Sequence, residues 1–452
     1  MERFNTLTGT WHALGNAPSM EVYAVAVRGT DVFLGGYFRG SGTVSASKIV
    51  KWNGTTWSAL GDGVGGGYGT GYVKAIAVSG NRVYVGGLFT RAGAISVNNI
   101  AMWDDSAQTW SALGSGVTIP SAPFGSYPTV YAITIQGTDV YVGGTFTQAG
   151  GVTVNRIAKW DGSAWSAIGT GITSTGYPDV RAIALNGPDD IYAGGGFVER
   201  LQHWNGTSWS VFGPINGSVS ALLLSGTDLY VGGGFTLAGG VSASNIAQWN
   251  GATWSALGTG VNAGGVSSMA ASGSDVFVGG AFTTSGGLVN GRGVARWDGT
   301  SWNTLGSGIT FGPWGGQAGV VAALATSGNS LFVGGTFTGV GGRWSNYFAR
   351  WDATTTSVRE DALRPAQLSL EQNYPNPFNP TTMIVYEVRP REFVELKVFD
   401  VLGREVATLV REQLGPGRYT ATFNANRLAS GMYTYRLTSG NRVEAKKMLL
   451  LR

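Results

Sequence analysis

Short runs that alternate hydrophobic and polar residues dominate the chain through residue 357. One repeated unit contains four of them: KAIAV (Lys74–Val78), VYVGGLFT (Val83–Thr90), NIAMW (Asn99–Trp103) and TWSALG (Thr109–Gly114). Alternation with a period of two is typical of half-buried β-strands. In several units Asn-Gly or Asp-Gly separates the last two runs, and these dipeptides favour two-residue hairpin turns. The pattern predicts four-stranded antiparallel sheets and no helix.

The unit recurs along the chain. The tryptophan that ends the third run returns at spacings of 44 to 57 residues, as Trp52, Trp103, Trp160, Trp204, Trp249, Trp297 and Trp351. Four strands in about 40–50 residues are typical of propeller blades. The last unit lacks a fourth run, and the missing run appears as TWHALG at Thr10–Gly15. We therefore predict an all-β fold, a seven-bladed β-propeller that an N-terminal strand closes by pairing beside the strand ending at Trp351.

Charge is distributed unevenly. Of 30 Lys and Arg and 26 Asp and Glu, residues 1–357 hold 16 of each, and the remaining 14 and 10 account for the net charge of +4. This shift predicts a propeller domain at 1–357, a linker at 358–369 and a second domain at 370–452. Alternating runs with turns every 8–12 residues predict that the second domain is a small Ig-like β-sandwich. A neutral major domain lacks the basic surface that nucleic-acid binding requires, so no nucleic-acid partner is expected.

Composition removes several kinds of chemistry. The chain has no Cys, which excludes disulfides, thiolate nucleophiles and Cys-ligated zinc, and its two His leave little room for a multi-His metal site. We predict no metal, no cofactor and no catalytic residue. No run of about 18 apolar residues spans a membrane as a helix. The first residues do not form a signal peptide, and a truncated or misassigned start is the expected reason.

The repeats resemble bacterial kelch-like or galactose-oxidase-like propeller repeats. They are also similar to the propeller of a fungal cortical cell-polarity family, with which they share a GGxFTxAG…NIAxWDGxxWxxLG pattern. The resemblance covers residues 1–357 and implies a fold, because propellers host many functions. The copper site of galactose oxidase is not implied, since it needs a Tyr–Cys crosslink and this chain has no Cys.

The last 80 or so residues closely resemble the type A C-terminal sorting domain of the type IX secretion system of Bacteroidetes-like bacteria. The residues that carry this resemblance are Pro375, Asn376, Pro377, Phe378, Gly403, Arg404, Gly431, Tyr433, Lys446 and Lys447. It implies that the protein engages the type IX secretion machinery and is secreted or held at the outer-membrane surface. It also implies removal of the tail and attachment to surface lipopolysaccharide or release. We expect a monomer.

Candidate ligand-binding residues lie on the loops that link one blade to the next. The loops of antiparallel sheets sort into two faces, and these longer, variable loops share a face with those between second and third strands. They carry aromatic residues outside the repeated core positions, namely Tyr68, Tyr72, Phe124, Tyr127, Tyr177, Phe311 and Trp314. We interpret these as stacking platforms for sugars, whereas the repeated tryptophans are expected to pack between blades.

The favoured hypothesis is a non-catalytic, secreted or surface-attached module for binding or adhesion, with glycans as the candidate ligand. An extracellular polysaccharide lyase or hydrolase is the alternative. It would need carboxylate, Tyr or Arg side chains converging near the channel, for which Asp179, Asp62 and Arg181 are the candidates. A purely structural or protein-interaction surface module is the third hypothesis.

Overall fold

The chain folds entirely into strands, turns and loops where its structure is described. The computed structural model describes residues 8–14, 18–67, 71–120, 127–175, 178–262, 264–288, 291–311, 317–354, 369–388, 392–414, 417–426, 428–440 and 442–451. These residues contain no helix, and hence none long and apolar enough to cross a membrane. The all-β prediction is confirmed. The chain divides into two compact units, Met1–Thr355 and Thr356–Arg452.

The described residues of the first unit form seven four-stranded antiparallel sheets, numbered here in chain order. Their strands, from first to fourth, are Val22–Arg28, Asp31–Gly36, Ile49–Trp52 and Trp57–Ala59 in sheet 1; Tyr72–Ser79, Arg82–Leu88, Ile100–Asp104 and Thr109–Ala112 in sheet 2; Val130–Gln136, Asp139–Gly144, Ile157–Trp160 and Trp165–Ala167 in sheet 3; Val180–Gly187, Asp190–Gly195, Leu201–Trp204 and Trp209–Val211 in sheet 4; Ser218–Ser225, Asp228–Gly234, Ile246–Trp249 and Trp254–Ala256 in sheet 5; Val266–Ser272, Asp275–Gly280, Val294–Trp297 and Trp302–Thr304 in sheet 6; and Val320–Ser327, Ser330–Thr336, Phe348–Thr354 and Thr8–Ala13 in sheet 7.

The sheets form a closed ring. The first strand of each sheet contacts the first strand of the next, and that of sheet 7 contacts that of sheet 1. Sheet 7 takes its fourth strand from the start of the chain, because Thr8–Ala13 pairs antiparallel with Phe348–Thr354 and Trp11 lies opposite Trp351. The predicted closing pair therefore forms, with its strand at Thr8–Ala13 rather than Thr10–Gly15. The arrangement is that of a β-propeller around a central channel.

A glycine pair in each second strand lets neighbouring sheets approach closely. A Cβ on Gly35 would lie 2.3 Å from Val73 Cγ1 of sheet 2, and a Cβ on Gly36 would lie 2.0 Å from the backbone oxygen of Glu21. Both distances are far inside van der Waals contact, so the pair must be glycine. Val73 and Phe33 are fully buried in the resulting interface. The recurrent Gly-Gly pair is therefore a packing requirement.

Short strands lie in the loops between second and third strands and in some of the segments that link two sheets, and the sequence did not predict them. They consist of two- and three-residue strands: Gly40–Ser41, Val44–Ser45, Val64–Gly65, Arg91–Ala92, Ile95–Ser96, Val117–Thr118, Gln148–Ala149, Val152–Thr153, Leu237–Ala238, Val241–Ser242, Ile309–Phe311, Gln317–Ala318, Gly339–Val340 and Arg343–Trp344. Several pair with the segment that links two sheets; Val64–Gly65, for example, pairs with Arg91–Ala92. They hold the linking segments against the face that carries the variable loops.

The second unit is a sandwich of two antiparallel sheets. Its strands are Ser369–Leu370, Thr381–Val388 and Gly417–Asn424 in one sheet, and Glu392–Phe399, Glu405–Leu414, Gly431–Ser439 and Arg442–Leu450 in the other. Side chains from both sheets fill one core, among them Ile384, Leu396 and Tyr435, none of which is accessible to solvent. A two-sheet sandwich is what the alternating runs predicted.

Candidate functional site

The predicted loop aromatics are only partly described. Tyr68, Phe124, Tyr177 and Trp314 lie outside the described residues. Phe311 ends the short strand Ile309–Phe311, and the backbone oxygen of Tyr127 accepts a hydrogen bond from Thr145 Oγ1 (2.8 Å). Tyr72 is different, because it begins the first strand of sheet 2 and so lies at the inner edge of the ring. The structure does not test a ligand-binding role for any of them.

Every first strand of the ring carries a β-bulge at the same place. In sheet 1, Val22 pairs with Gly36 and Ala24 pairs with Gly35, which leaves Tyr23 as the extra residue. The residues at the equivalent bulge positions are Tyr23, Lys74, Tyr131, Arg181, Ser220, Ser267 and Ala322. Bulges bend a strand and re-aim a side chain, and they are common beside functional sites. We call this ring of residues the channel mouth.

The channel mouth is asymmetric. Four consecutive sheets place a large aromatic or charged side chain at the bulge, whereas sheets 5 to 7 place Ser220, Ser267 and Ala322 there. The residue two positions earlier follows the same division, with Glu21, Tyr72, Thr129 and Asp179 on one side and Ser218, Gly265 and Val320 on the other. One half of the ring therefore presents functional groups, and the opposite half leaves space.

Lys74 lies between two tyrosines. Its Nζ is 3.7 Å from the ring centre of Tyr23 and 5.9 Å from that of Tyr72, and the two rings meet edge to face with centres 6.4 Å apart. The described residues offer the Lys74 ammonium no carboxylate partner. Burial lowers the pKa of Lys74. Cation–π contact is then the main stabilisation of its charge.

The tyrosines of the mouth are held in their protonated form. Burial raises the pKa of Tyr23, and Glu21, Tyr72 and Tyr37 raise it further. A tyrosine is protonated at neutral pH even at its ordinary pKa of about 10, and the raised pKa keeps the Tyr23 phenol a hydrogen-bond donor well above neutral pH. One carboxylate oxygen of Glu21, Oε2, is buried without a hydrogen-bond partner in the described part of the chain. A buried acceptor without a donor is costly, and a ligand hydroxyl could satisfy it.

Tyr131 is close to an ion pair on sheet 4. Arg181 Nε donates to Asp179 Oδ2 (2.9 Å), and the backbone N–H of Gly196 donates to Asp179 Oδ1 (2.6 Å). Burial raises the pKa of Tyr131, and Tyr72 and Asp179 raise it further, which places these groups in one electrostatic neighbourhood. The structure thus brings together Asp179 and Arg181, two of the residues that the enzyme hypothesis requires. Asp62 lies elsewhere, in a cleft between sheets 1 and 2.

The channel mouth and the residues two positions before it combine aromatic faces, phenol donors, two cations and carboxylates within the inner edges of four sheets. This set can stack on a ring and hydrogen-bond several hydroxyl groups at once. The described residues contain no group of three or more His, Asp or Glu side chains that could hold a metal ion.

Sequence reasoning missed most of the mouth because it searched the loops. The signal was nevertheless present: each first strand reads Val-x-Ala or a close variant, and x varies from Tyr, Lys and Arg to Ser and Ala while its neighbours stay small and apolar. Because the rest of the first strand is nearly the same in every sheet, the one position that varies is the candidate for a functional role.

The motifs of the C-terminal unit meet at its last strand. Phe378 N–H donates to the Leu449 oxygen (2.9 Å), and Leu449 N–H donates to Asn376 Oδ1 (2.9 Å). The peptide bonds before Pro375 and Pro377 are cis. The Pro-Asn-Pro-Phe segment is therefore attached to the strand that carries Lys446 and Lys447, two cations without an ion pair among the described residues.

The other motifs shape turns. Asp400 Oδ1 accepts hydrogen bonds from the backbone of Leu402 and Arg404, and Asp400 Oδ2 accepts one from Arg404 Nε (2.8 Å). Gly403 adopts a φ of 74° within this turn. Gly431 begins the strand Gly431–Ser439, and Tyr433 OH donates to the Ala429 oxygen (2.8 Å).

Residues 372–451 match a protein-family model described as "Secretion system C-terminal sorting domain". The chain is therefore an exported β-propeller protein, and its C-terminal unit is a type IX sorting domain. It engages the type IX secretion machinery and is secreted or located at the cell surface. The kelch-like resemblance of the repeats stays a prediction, and no curated protein matches this chain.

Three solved structures show distant similarity. PorZ, an essential surface component of the type IX secretion system of Porphyromonas gingivalis, is 11% identical with a TM-score of 0.26 over 96% of this chain and 75% of that chain. BamB from Moraxella catarrhalis is 12% identical with a TM-score of 0.37 over 73% and 85%. A protein of unknown function from Bacteroides thetaiotaomicron is 11% identical with a TM-score of 0.36 over 77% and 98%. Scores this low carry no argument about this chain.

Proposed function

We propose that the propeller is a non-catalytic binding module that the sorting domain delivers to the cell exterior, and that its ligand is a glycan bound at the channel mouth. The asymmetry of the mouth carries this proposal. Three small residues lie across the ring from Tyr23, Lys74, Tyr131 and Arg181. This arrangement suits a ligand that stacks on the large side chains and occupies the space beside the small ones. Attachment to surface lipopolysaccharide or release after removal of the tail completes the proposal.

The chemistry of the mouth favours a polyhydroxylated ligand. Apolar faces of a sugar ring pack on tyrosines, and its hydroxyl groups can both donate to Glu21 and accept from phenol donors. The raised pKa of Tyr23 and of Tyr131 supports their role as donors at neutral pH. Burial of such groups within a ring of rigid strands also limits the conformational cost of binding.

The test is a glycan array probed with the full-length protein and with Tyr131→Ala. We expect selective binding by the parent protein and about tenfold weaker binding by the variant, because an aromatic contact contributes roughly 1–2 kcal/mol. Ser267→Ala is the matched control, since it changes the equivalent bulge position on the small-residue half. Binding that both variants retain would reject the channel mouth as the site. Failure to bind any glycan would favour a protein-interaction module.

A second candidate function is cleavage of an acidic polysaccharide. The observation that favours it is the neighbourhood of Tyr131, Arg181, Asp179 and Lys74, since a tyrosine near cations can act as a general acid or base on a uronate. Incubation with uronate polysaccharides, followed by chromatography for shortened products, tests it. Turnover by the parent protein that Tyr131→Phe abolishes would support the enzyme, and intact polymer would reject it.

A further inference from the structure

A polar cavity opens on the same face and is lined by residues other than those of the channel mouth. It lies between sheets 1 and 2, has a volume of about 640 Å³, and is lined by Arg39, Lys48, Arg91 and Asp62 together with the glycine-rich segment 61–66. We call it the basic cleft. The sequence of that segment is like a phosphate loop in composition, but the segment contains the two-residue strand Val64–Gly65 and opens no helix. Gly61 and Gly63 belong to the repeated structure, because their φ values of 53° and 71° match those of Gly114 and Gly116 (55° and 72°) after sheet 2.

Lys48 is the distinctive residue of the basic cleft. Its relative accessibility is only 3%, and its Nζ lies 4.6 Å from the ring centre of Tyr37. No hydrogen bond or ion pair involves its ammonium group within the described residues. The side chain is largely buried, but its ammonium group faces the cleft, where it is available to pair with an anion from outside the chain.

The same position in other sheets shows that a cation is not needed for folding. Lys48 precedes the third strand in a left-handed conformation (φ 66°), and its backbone oxygen accepts a hydrogen bond from Gly36 N–H. Asn99 and Asn245 occupy the equivalent position with the same φ of 66° and equivalent bonds to Gly87 and Gly233. Asparagine tolerates this conformation better than lysine does. Arg156 and Arg200 occupy the same left-handed position in sheets 3 and 4, so the position accepts either a cation or asparagine.

Two further cations strengthen the positive potential. Arg39 and Arg91 line the cleft, and neither makes an ion pair in the described part of the chain. Both line the cleft together with Lys48, whose pKa is lowered by burial and, to a smaller extent, by Arg39. Asp62 supplies the one negative side chain in the lining. Since residues 1–357 carry no net charge, this excess is local.

We propose that the basic cleft binds an oxyanion, a sulfate or carboxylate group carried by an extracellular polysaccharide. A cleft of this volume holds a sugar unit and not only a small ion. Glycine backbone on one wall allows close approach, and the three cations provide charge-assisted hydrogen bonds. The cleft shares no lining residue with the channel mouth, and its proposal does not depend on the function proposed there.

The test uses the full-length protein and dextran sulfate, with uncharged dextran as a reference polymer, in titration calorimetry at two salt concentrations. We expect dextran sulfate to bind, the affinity to fall as salt rises, and uncharged dextran not to bind. Lys48→Asn should weaken binding at least tenfold while leaving the fold intact, because two other sheets already hold asparagine there. Thermal unfolding of this variant without polymer verifies its fold.

Lys159→Asn is the matched control, because it removes the same charge from sheet 3, where Lys159 pairs with Asp139 (3.2 Å). Equal loss in both variants would show a nonspecific charge effect and overturn the proposal. Full binding by Lys48→Asn would also overturn it. If inorganic sulfate bound as tightly as dextran sulfate, the proposal that the anion belongs to a polysaccharide would be rejected. If the protein bound dextran sulfate but no glycan on the array, the basic cleft would be supported as a site and the channel-mouth proposal would be rejected.

Discussion

Asp105 shows how one side chain can join two sheets of the ring. It extends from sheet 2 and accepts hydrogen bonds from Arg28 Nη2 (2.5 Å) and Lys51 Nζ (2.9 Å), both on sheet 1, and from Trp103 Nε1 (3.2 Å). Burial alone would raise its pKa, but these bonds outweigh burial and lower the pKa of Asp105 to about 2. The carboxylate is therefore better stabilised in the folded than in the unfolded chain.

Asp105→Asn should lower the stability of the propeller, and the effect should depend on pH. The folded pKa of about 2 lies below the unfolded value of about 3.9, so the stabilisation is present above pH ~4 and is lost as the pH falls towards 2. The shift corresponds to about 2.5 kcal/mol, which partial exposure of the cations reduces to roughly 1–2 kcal/mol. Urea midpoints at neutral pH and near pH 2.5 measure it.

Asp189→Asn serves as the control, because Asp189 is exposed and makes no ion pair among the described residues. The control should unfold as the parent does at both pH values. A deficit of Asp105→Asn that stays the same near pH 2.5 would mean that the carboxylate charge is not responsible.

Sheets interlock through the tryptophan of each fourth strand. Trp165 Nε1 on sheet 3 donates to the Leu113 oxygen at the end of sheet 2 (2.7 Å), and Trp302 on sheet 6 bonds Leu257 of sheet 5 in the same way (2.7 Å). Trp254 on sheet 5 packs instead against Phe212, with ring centres 5.8 Å apart, and its indole makes no hydrogen bond within the described residues. Two otherwise equivalent tryptophans thus differ by one buried bond.

Trp165→Phe should therefore destabilise the propeller more than Trp254→Phe. Trp165 is buried and Trp254 is half-buried, so the first change removes more buried apolar area, and it also leaves the buried Leu113 oxygen without a donor, which costs about 1–3 kcal/mol. The expected difference in the free energy of unfolding is about 1–2 kcal/mol in urea titrations. Equal losses in the two variants would contradict this prediction.

The sequence predicted the strands well and the site poorly, for different physical reasons. Local alternation and hairpin turns located the four runs of each unit, and Trp103 and its equivalents marked the third strands. The bulge at Tyr23 or Lys74 could not be predicted in this way, because it depends on how Gly35 and Gly36 pair with another strand and pack against the next sheet. Left-handed Lys48 was hidden for a similar reason, since lysine carries no local signal for that conformation.

At the scale of the molecule, one pairing closes the ring. Thr8–Ala13 supplies the fourth strand of sheet 7, and Trp11 Nε1 donates to the Leu305 oxygen of sheet 6 (2.8 Å) across 294 residues of sequence. Without this strand the edge of Phe348–Thr354 would be unpaired, and Trp11 would leave the core that it shares with Trp351. Unpaired edges recruit strands from other molecules.

Deletion of residues 1–14 should lower the unfolding temperature and cause aggregation that increases with protein concentration. Differential scanning calorimetry and light scattering measure the two effects. A synthetic peptide of residues 8–14, added in excess, should reverse both, because it restores the same pairing in trans. A truncated protein that remains monomeric and equally stable would show that the strand is dispensable for closure.

Because the first strand pairs with the last segment of the propeller, only a chain synthesised through residue 354 can close the ring. As the polypeptide emerges from the ribosome, or threads through an export channel, its first strand has no partner until the segment Phe348–Thr354 has followed it. A prematurely terminated product can therefore fold several sheets but never seal the ring, and it keeps an exposed edge that proteases and chaperones recognise. The sorting domain begins only after that segment, so the signal that directs export is synthesised just after the residues that make closure feasible.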